Sequence, residues 1–318
     1  MGNPALGIET AVLLKEESTP GTREDCSTGA EHLDLINETL DYKPMLFDGP
    51  VFAGDRQKRA TMDFVTHHDG GGSVVCRPRS AQLENMLPLI FGAVDTDHVP
   101  ITDDATDLKA FTVECTKSGQ DQLALIGTKV NQATFRSEQN SPLELEMALF
   151  SLTGARNSGS FTSWAATQMD AEPVFMHGGL GFTSTHAWFD DGNTSYNPEC
   201  RSIEIVCNNN LDSEAFTNST DRRLLPPGLF ELTGNIVVPY NATTKGFWAD
   251  MVAATKVKFT ATWTDADTST FAIALVVKLE GDLPQISEAA HQWLTLNFHG
   301  VYDDTDAYCI RATNTPHV

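Results

Sequence analysis

The residues best suited to chemistry are two adjacent histidines followed by an aspartate, His67, His68 and Asp69. Imidazole nitrogens and carboxylate oxygens are among the ligands that zinc prefers in proteins. Adjacent residues on a strand point to opposite faces of a sheet, so these two imidazoles would not easily reach one ion. We therefore expect no metal site at this position.

Aspartates are clustered in three short segments, a composition that suits both calcium binding and exposure to solvent. A calcium-binding loop places its carboxylates at alternating positions before a glycine, and none of the three segments has that spacing. We interpret them as solvated hairpin tips. The clusters are Asp95 with Asp97, then Asp103 with Asp104 and Asp107, and finally Asp303 with Asp304 and Asp306.

Familiar catalytic signatures do not occur in the sequence. It has no Gly-x-Ser-x-Gly elbow, no Gly-Lys-Ser/Thr phosphate loop and no His-Glu-x-x-His zinc motif. The short run from Gly178 to Gly181 indicates a hairpin turn. The sequence therefore predicts no catalytic, cofactor-binding or metal-binding residue, and it favours a structural protein over an enzyme.

Charge and cysteine usage restrict the classes of partner and compartment. The chain has 43 acidic and 21 basic residues, a net charge of −22, which argues against a domain that grips nucleic acid. Its six cysteines include no Cys-x-x-Cys pair, so we expect free thiols in a reducing cytoplasm. We also expect no membrane span, because no window approaches ~20 uninterrupted apolar residues, and no secretory signal.

Alternating apolar residues bounded by Gly, Asn and Ser predict a mainly β protein. The Gly-rich run from His68 to Ser73 predicts a turn between strands. The predicted strands are 31–40, 44–53, 59–67, 110–116, 121–127, 129–137, 142–152, 174–189, 200–208, 229–238, 256–264, 270–280 and 292–302.

Two segments have apolar residues at helical spacing and predict short helices that pack on the sheets. The first helix is predicted from Ala81 to Gly92, with Ser80 as its N-cap and the glycine as its end. The second is predicted from Thr244 to Thr255. The side chains predicted to pack are Leu83, Met86 and Leu87 on the first helix, and Phe247, Trp248 and Met251 on the second.

Each half of the chain therefore has strands, one short helix and further strands. The predicted organisation is an N-terminal arm at 1–30, a first β domain at 31–152, a linker at 153–172 and a second β domain at 173–318. In the arm, Val12, Leu13 and Leu14 form a short apolar run among turn-forming and charged residues. We expect this run to pack against a neighbouring subunit.

Four stretches carry a resemblance to the major tail tube proteins of long-tailed, siphovirus-like bacteriophages, and together they extend over most of the chain. One departure from the family pattern is Pro20, which stands where that family often has tyrosine. The stretches are Val12 to Thr22, Leu33 to Gly54, the helix around Leu83 to Leu87 with Phe91-Gly92, and Arg201 to Leu211 followed by Leu232 to Ile236 and the helix at 247–254.

The resemblance implies an antiparallel β-sandwich or barrel of the tail-tube type with short helices, and the repeated pattern makes duplication of that fold within the chain one interpretation. It implies a virion structural protein whose rings, trimers with pseudo-sixfold symmetry or hexamers, stack into a hollow tail tube. Other tail and neck proteins would be further partners, and the protein would reach the virion tail after synthesis in the host cytoplasm.

DNA would pass through such a tube during ejection without specific binding. An acidic inner wall repels phosphate, whereas a basic wall would hold the DNA. We therefore expect carboxylates, with Ser, Thr and Asn, to dominate the inner wall.

Two alternatives remain open from the sequence. One is a carbohydrate-binding or carbohydrate-active β-sandwich, because exposed tryptophans can stack on sugar rings. The other is a capsid or decoration protein of the same kind of particle. The tryptophans in question are Trp164, Trp188, Trp248, Trp263 and Trp293.

Overall fold

The structure is a computed structural model. It describes residues 10–47, 64–92, 97–100, 108–117, 121–156, 172–186, 194–196, 199–241, 244, 246–281 and 292–316.

Strands dominate the described residues and two short helices accompany them, which confirms the predicted mainly β, antiparallel sandwich class. The helices are α1 (Ser80–Phe91) and α2 (Gly246–Ala253). The strands are β1 (Ala11–Glu16), β2 (Glu31–His32), β3 (Leu35–Glu38), β4 (Asp41–Phe47), β5 (Phe64–Cys76), β6 (Asp97–His98), β7 (Phe111–Lys117), β8 (Asp121–Glu138), β9 (Glu144–Phe150), β10 (Thr153–Arg156), β11 (Leu180–His186), β12 (Thr194–Tyr196), β13 (Ser202–Asn208), β14 (Glu231–Pro239), β15 (Lys256–Thr264), β16 (Thr270–Glu280), β17 (Trp293–Gly300) and β18 (Ile310–Thr315).

One long antiparallel sheet crosses both halves of the chain. Its strands follow in the order β4, β5, β9, β8, β13, β14, β17 and β16, each paired with the next. The strand β8 also belongs to a second sheet, because its first half pairs with β7 and β10. The change of partners falls at Gly127, whose φ of 63° suits the bulge at that point.

The same pairing scheme occurs twice along the chain. In the first half β4 pairs with β5, β5 with β9, β9 with β8, β8 with β7, and β7 with β1. In the second half the corresponding sequence is β13, β14, β17, β16, β15 and β11. In both halves the helix follows the second strand of this series. The pairing of β8 with β13 joins the two sets, which we call the first and second strand sets.

The core lies between the sheets and is continuous across both strand sets. Leu83, Met86 and Leu87 on α1 are fully buried, and so is Phe247 on α2, while Met251 is partly buried. The side chain of Trp248 is 44% exposed, so the core position expected for it is corrected. It lies on a side of α2 that the described strands leave partly exposed.

The apolar run near the N-terminus packs inside its own chain. Val12, Leu13 and Leu14 lie on β1, which pairs with β7 and β2, and all three are buried. Their expected role in packing against a neighbouring subunit is therefore wrong, because the chain's own sheet already covers them. A role between subunits stays a prediction for the rest of the arm, of which residues 1–9 lie outside the described residues.

The predicted turn from His68 to Ser73 lies inside β5. Gly71 and Gly72 have φ values of 147° and 135°, which side chains other than glycine rarely adopt. A Cβ on Gly72 would come within 2.5 Å of the Thr39 carbonyl oxygen. Glycine is needed here for close approach of neighbouring strands rather than for a turn, and local sequence does not separate these two uses.

The boundary regions match the predicted organisation only in places. Residues 153–156 of the predicted linker form β10, which continues along β8 after β9, and residues 157–171 lie outside the described residues. The division into two domains with a linker stays a prediction. The helix α1 begins at Ser80 and ends before Gly92, which has a φ of 79° and serves as the C-cap.

Candidate functional site

The histidine pair is engaged in structural contacts. His68 Nδ1 lies 3.0 Å from Asp221 Oδ1, and Asp221 also accepts a hydrogen bond of 2.7 Å from the Tyr42 hydroxyl. The ring of His67 packs against Phe216. The described part of the chain contains no group of three or more His, Cys, Asp or Glu residues arranged to hold a metal.

The described acidic cluster near the C-terminus pairs with lysines. Asp303 lies 3.3 Å from Lys256 Nζ, and Asp306 lies 2.5 Å from Lys258 Nζ. Of the other clustered aspartates, Asp97 lies on β6, while Asp95, Asp103, Asp104 and Asp107 lie outside the described residues.

All six cysteines lie among the described residues, and each is a free thiol. Burial raises the pKa of Cys26, Cys76 and Cys115 to about 12. It raises the pKa of Cys200 to about 12 as well, and it raises the pKa values of Cys207 and Cys309. These thiols stay protonated near neutral pH, which is unsuited to nucleophilic catalysis.

The tryptophans do not form an exposed stacking platform among the described residues. Trp263 is fully buried, and its indole nitrogen donates a hydrogen bond of 3.1 Å to Ser137 Oγ. Trp293 is half-buried beneath the guanidinium of Arg201. Trp164 and Trp188 lie outside the described residues.

A broad candidate surface is the side of the long sheet that faces away from the core, which we call the polar face. Along β8, β9, β13, β14, β16 and β17, buried apolar residues alternate with residues on this face. One row crosses six strands through successive cross-strand partners. Its members are Glu144, Arg136, Glu204, Asn235, Asn297 and Glu280.

Hydrogen bonds and ion pairs connect this row across the junction of the two strand sets. Arg136 on β8 lies 2.8 Å from Glu146 on β9 and 3.4 Å from Glu204 on β13. The Asn235 amide donates a hydrogen bond of 3.3 Å to the other oxygen of Glu204. One arginine thus bridges carboxylates from both sets.

Carboxylates outnumber basic groups on the polar face of these six strands. The basic residues are Arg136, Lys278 and Lys129, and Lys129 is buried while it donates a hydrogen bond to the Leu225 carbonyl. The acidic residues are Glu138, Glu144, Glu146, Glu204, Glu231 and Glu280. Ser, Thr and Asn fill many of the remaining positions, so the face is acidic and hydrophilic.

A loop from the second strand set crosses one end of the polar face and contacts the first set. In this crossing loop, residues 209–230, Arg222 is 7% exposed and contacts Asp69 at 2.6 Å. Its guanidinium also donates hydrogen bonds of 2.9 Å and 3.3 Å to the carbonyls of Gly70 and Ser151, and it lies over the ring of Phe150. Sequence reasoning missed this residue, because its partners are distant in sequence.

The strand β4 forms an edge of the long sheet within the described residues. It pairs with β5 on one side, and its residues from Lys43 onward are exposed. Leu46 is 61% exposed, and Phe47 stacks on Phe64 with ring centroids 5.0 Å apart. An exposed edge strand is a template for pairing with another chain.

No helix in the described ranges is both long and apolar enough to cross a lipid bilayer. In a comparison with protein-family models, the one described as phage tail tube protein matches residues 7–300. A comparison with curated proteins found no match.

Proposed function

Because the chain belongs to the phage tail tube protein family, we propose that copies of it close into rings, that the rings stack into the tail tube, and that the polar face lines the channel for DNA. The protein is a structural component of a phage tail, and its place is the virion tail. The observation that carries the proposal beyond the family is the polar face, which continues across both strand sets without a break.

The repeated pairing scheme supports a ring of three chains. Each strand set contributes four strands to the long sheet, and the β8–β13 pairing already joins two sets within one chain. If each set is one tube-type domain, three chains supply six domains and give pseudo-sixfold symmetry. Closure into a barrel would give β4 a partner on its open side.

Imaging of the purified protein by electron microscopy tests this proposal. We expect stacked rings in which six similar lobes surround the channel and three chains account for the density. Isolated monomers at high concentration, or closed shells, would contradict a tail tube role and favour a binding module or a capsid protein. Tubes with six chains in each ring would contradict the duplication while keeping the tube.

The acidic polar face predicts how DNA moves through the channel. Phosphates are repelled by carboxylates, whereas each lysine contact would hold the backbone by releasing counterions. We expect Glu138→Lys combined with Glu231→Lys to leave tubes intact and to slow DNA ejection from phage particles severalfold. Both residues are exposed on the polar face, so the fold should tolerate the changes.

The matched control is Glu138→Gln combined with Glu231→Gln, which removes the same negative charges without adding cations. Ejection rates are measured by the fluorescence of a dye that binds released DNA. We expect the glutamine variant to eject at close to the normal rate. A lysine variant that ejects equally fast would show that the polar face does not control DNA movement.

A further inference from the structure

We propose that the end of β16 lies beside β4 of the next copy, as β8 lies beside β13 within the chain, with Glu280 opposite Lys43 of that copy. The inference rests on the proposed ring and names the residues at its seam. The partner is a second copy of this chain, because the chain already contains the same junction between its own strand sets.

Equivalent positions in the two strand sets follow from the pairing registers. In the first set Lys129 pairs with Phe150, and Phe150 pairs with Gly71. In the second set Lys278 pairs with His299, and His299 pairs with Thr233. Lysine thus occupies the same place in both sets.

A second identity supports this alignment. The residues that follow Gly71 and Thr233 are both glycines, Gly72 and Gly234, and they pair with Leu149 and Phe298. Both apolar partners are buried in the core. A glycine thus lies opposite a large core side chain at the same register in each set.

The same registers lead to the two edges of the long sheet. Two residues before Gly71, Asp69 pairs with Lys43 on β4. Two residues before Thr233, Glu231 pairs with Asn208 on β13. Lys43 is therefore the equivalent of Asn208.

The partner strand is aligned in the same way. Gln132 pairs with Ala148 in the first set, beyond a one-residue bulge in β8. Glu280 pairs with Asn297 at the corresponding place in the second set. Within the chain Gln132 pairs with Asn208, so the equivalent pair between copies is Glu280 with Lys43 of the next copy.

The chemistry of this pair fits a contact between chains. Within the chain, the neutral amides of Gln132 and Asn208 face each other. Between copies, the Glu280 carboxylate would face the Lys43 ammonium group, and opposite charges across strands stabilise pairing. The Lys43 side chain is exposed, and Glu280 is 65% exposed with His299 Nδ1 at 2.8 Å. The strand β13 ends after Asn208, and Pro44 follows the equivalent residue Lys43. Proline has no N–H group, so it would end the pairing between copies at the same place.

The helices provide an independent observation. On α1, the Ser80 carbonyl accepts a hydrogen bond of 3.0 Å from the Asn314 amide of β18, the strand that pairs with β16 of the second set. On α2, Trp248 is 44% exposed and Val252 is 68% exposed, one turn apart. The next copy would cover this apolar side of α2, as β18 covers α1.

Charge reversal tests the seam in the full-length protein. We expect Lys43→Glu and Glu280→Lys each to raise the concentration needed for tube formation roughly tenfold, since like charges would face each other across strands. The double variant should restore assembly towards the normal value. Asp267→Lys at the exposed β15–β16 tip changes the net charge by the same amount as Glu280→Lys, so it is the control and should assemble normally.

Failure of the seam and failure of the ring give different results. If the unmodified protein forms no tubes, the proposed function is overturned. If it forms tubes while the single reversals assemble normally, or the double reversal gives no rescue, the seam is overturned and the ring stands.

Cysteine cross-linking gives a second readout that does not depend on charge. A chain carrying Lys43→Cys and Glu280→Cys should form disulfides between copies when assembled tubes are oxidised, because paired strand residues lie within disulfide reach. We expect a ladder on a non-reducing gel that ends at three chains. Tubes whose chains stay monomeric on that gel would overturn the assignment.

Discussion

Replacing Arg222 by leucine is expected to lower the free energy of unfolding by about 3 kcal/mol. The guanidinium is buried and donates to the carbonyls of Gly70 and Ser151 while it pairs with Asp69. Leucine fills part of the space but leaves both carbonyls without this donor, and desolvated acceptors are costly. Urea denaturation followed by tryptophan fluorescence measures the change.

Arg223 offers a matched control, because it is the next residue and is exposed. Arg223→Leu should change the free energy of unfolding by no more than about 0.5 kcal/mol. Arg222→Lys keeps the charge but not the planar fork of donors, so its effect should lie between the two. Equal destabilisation by the two leucine variants would refute an anchoring role for Arg222.

The second large effect is expected from Gly234→Ala, which should destabilise the fold by about 2–4 kcal/mol. A Cβ at this position would overlap the Glu204 carbonyl oxygen and the ring of Phe298. Because Gly234 lies between paired strands on both sides, backbone shifts that relieve the overlap would disturb both ladders. Thermal unfolding followed by circular dichroism measures the loss as a lower Tm.

The control for this substitution is Gly178→Ala, because a Cβ at that position would meet no atom within 4 Å. Alanine reduces the freedom of the unfolded chain, so this variant should be unchanged or more stable by up to about 1 kcal/mol. A Tm for Gly234→Ala equal to that of Gly178→Ala would show that the strands separate at little cost.

Local patterns predicted the elements whose side chains pack nearby. The spacing of Leu83, Met86 and Leu87 predicted α1, and Gly92 predicted its end, because helix periodicity and a left-handed cap are local properties. The strands β15 and β16 begin and end where the alternation of buried residues predicted. The family resemblance was confirmed over residues 7–300.

Features that depend on distant partners were not predictable in this way. The run from His68 to Ser73 looks like a turn, yet its glycines allow β5 to approach both neighbouring strands. The apolar run at Val12 looks unpartnered, because the strand that covers it lies about a hundred residues further along the chain. Arg222 has the same character, since nothing near it in sequence marks its partners.

The pairing of β8 with β13 also has a kinetic consequence for assembly. Both strands belong to one polypeptide, so this seam closes in a first-order step whose rate is independent of protein concentration. The proposed ring of three chains then needs two bimolecular encounters before its last seam closes within the complex, whereas six subunits with one strand set each would need five. Dilution would slow only the formation of the seams between chains. Each chain that joins the ring would bring the seam between its own strand sets already closed.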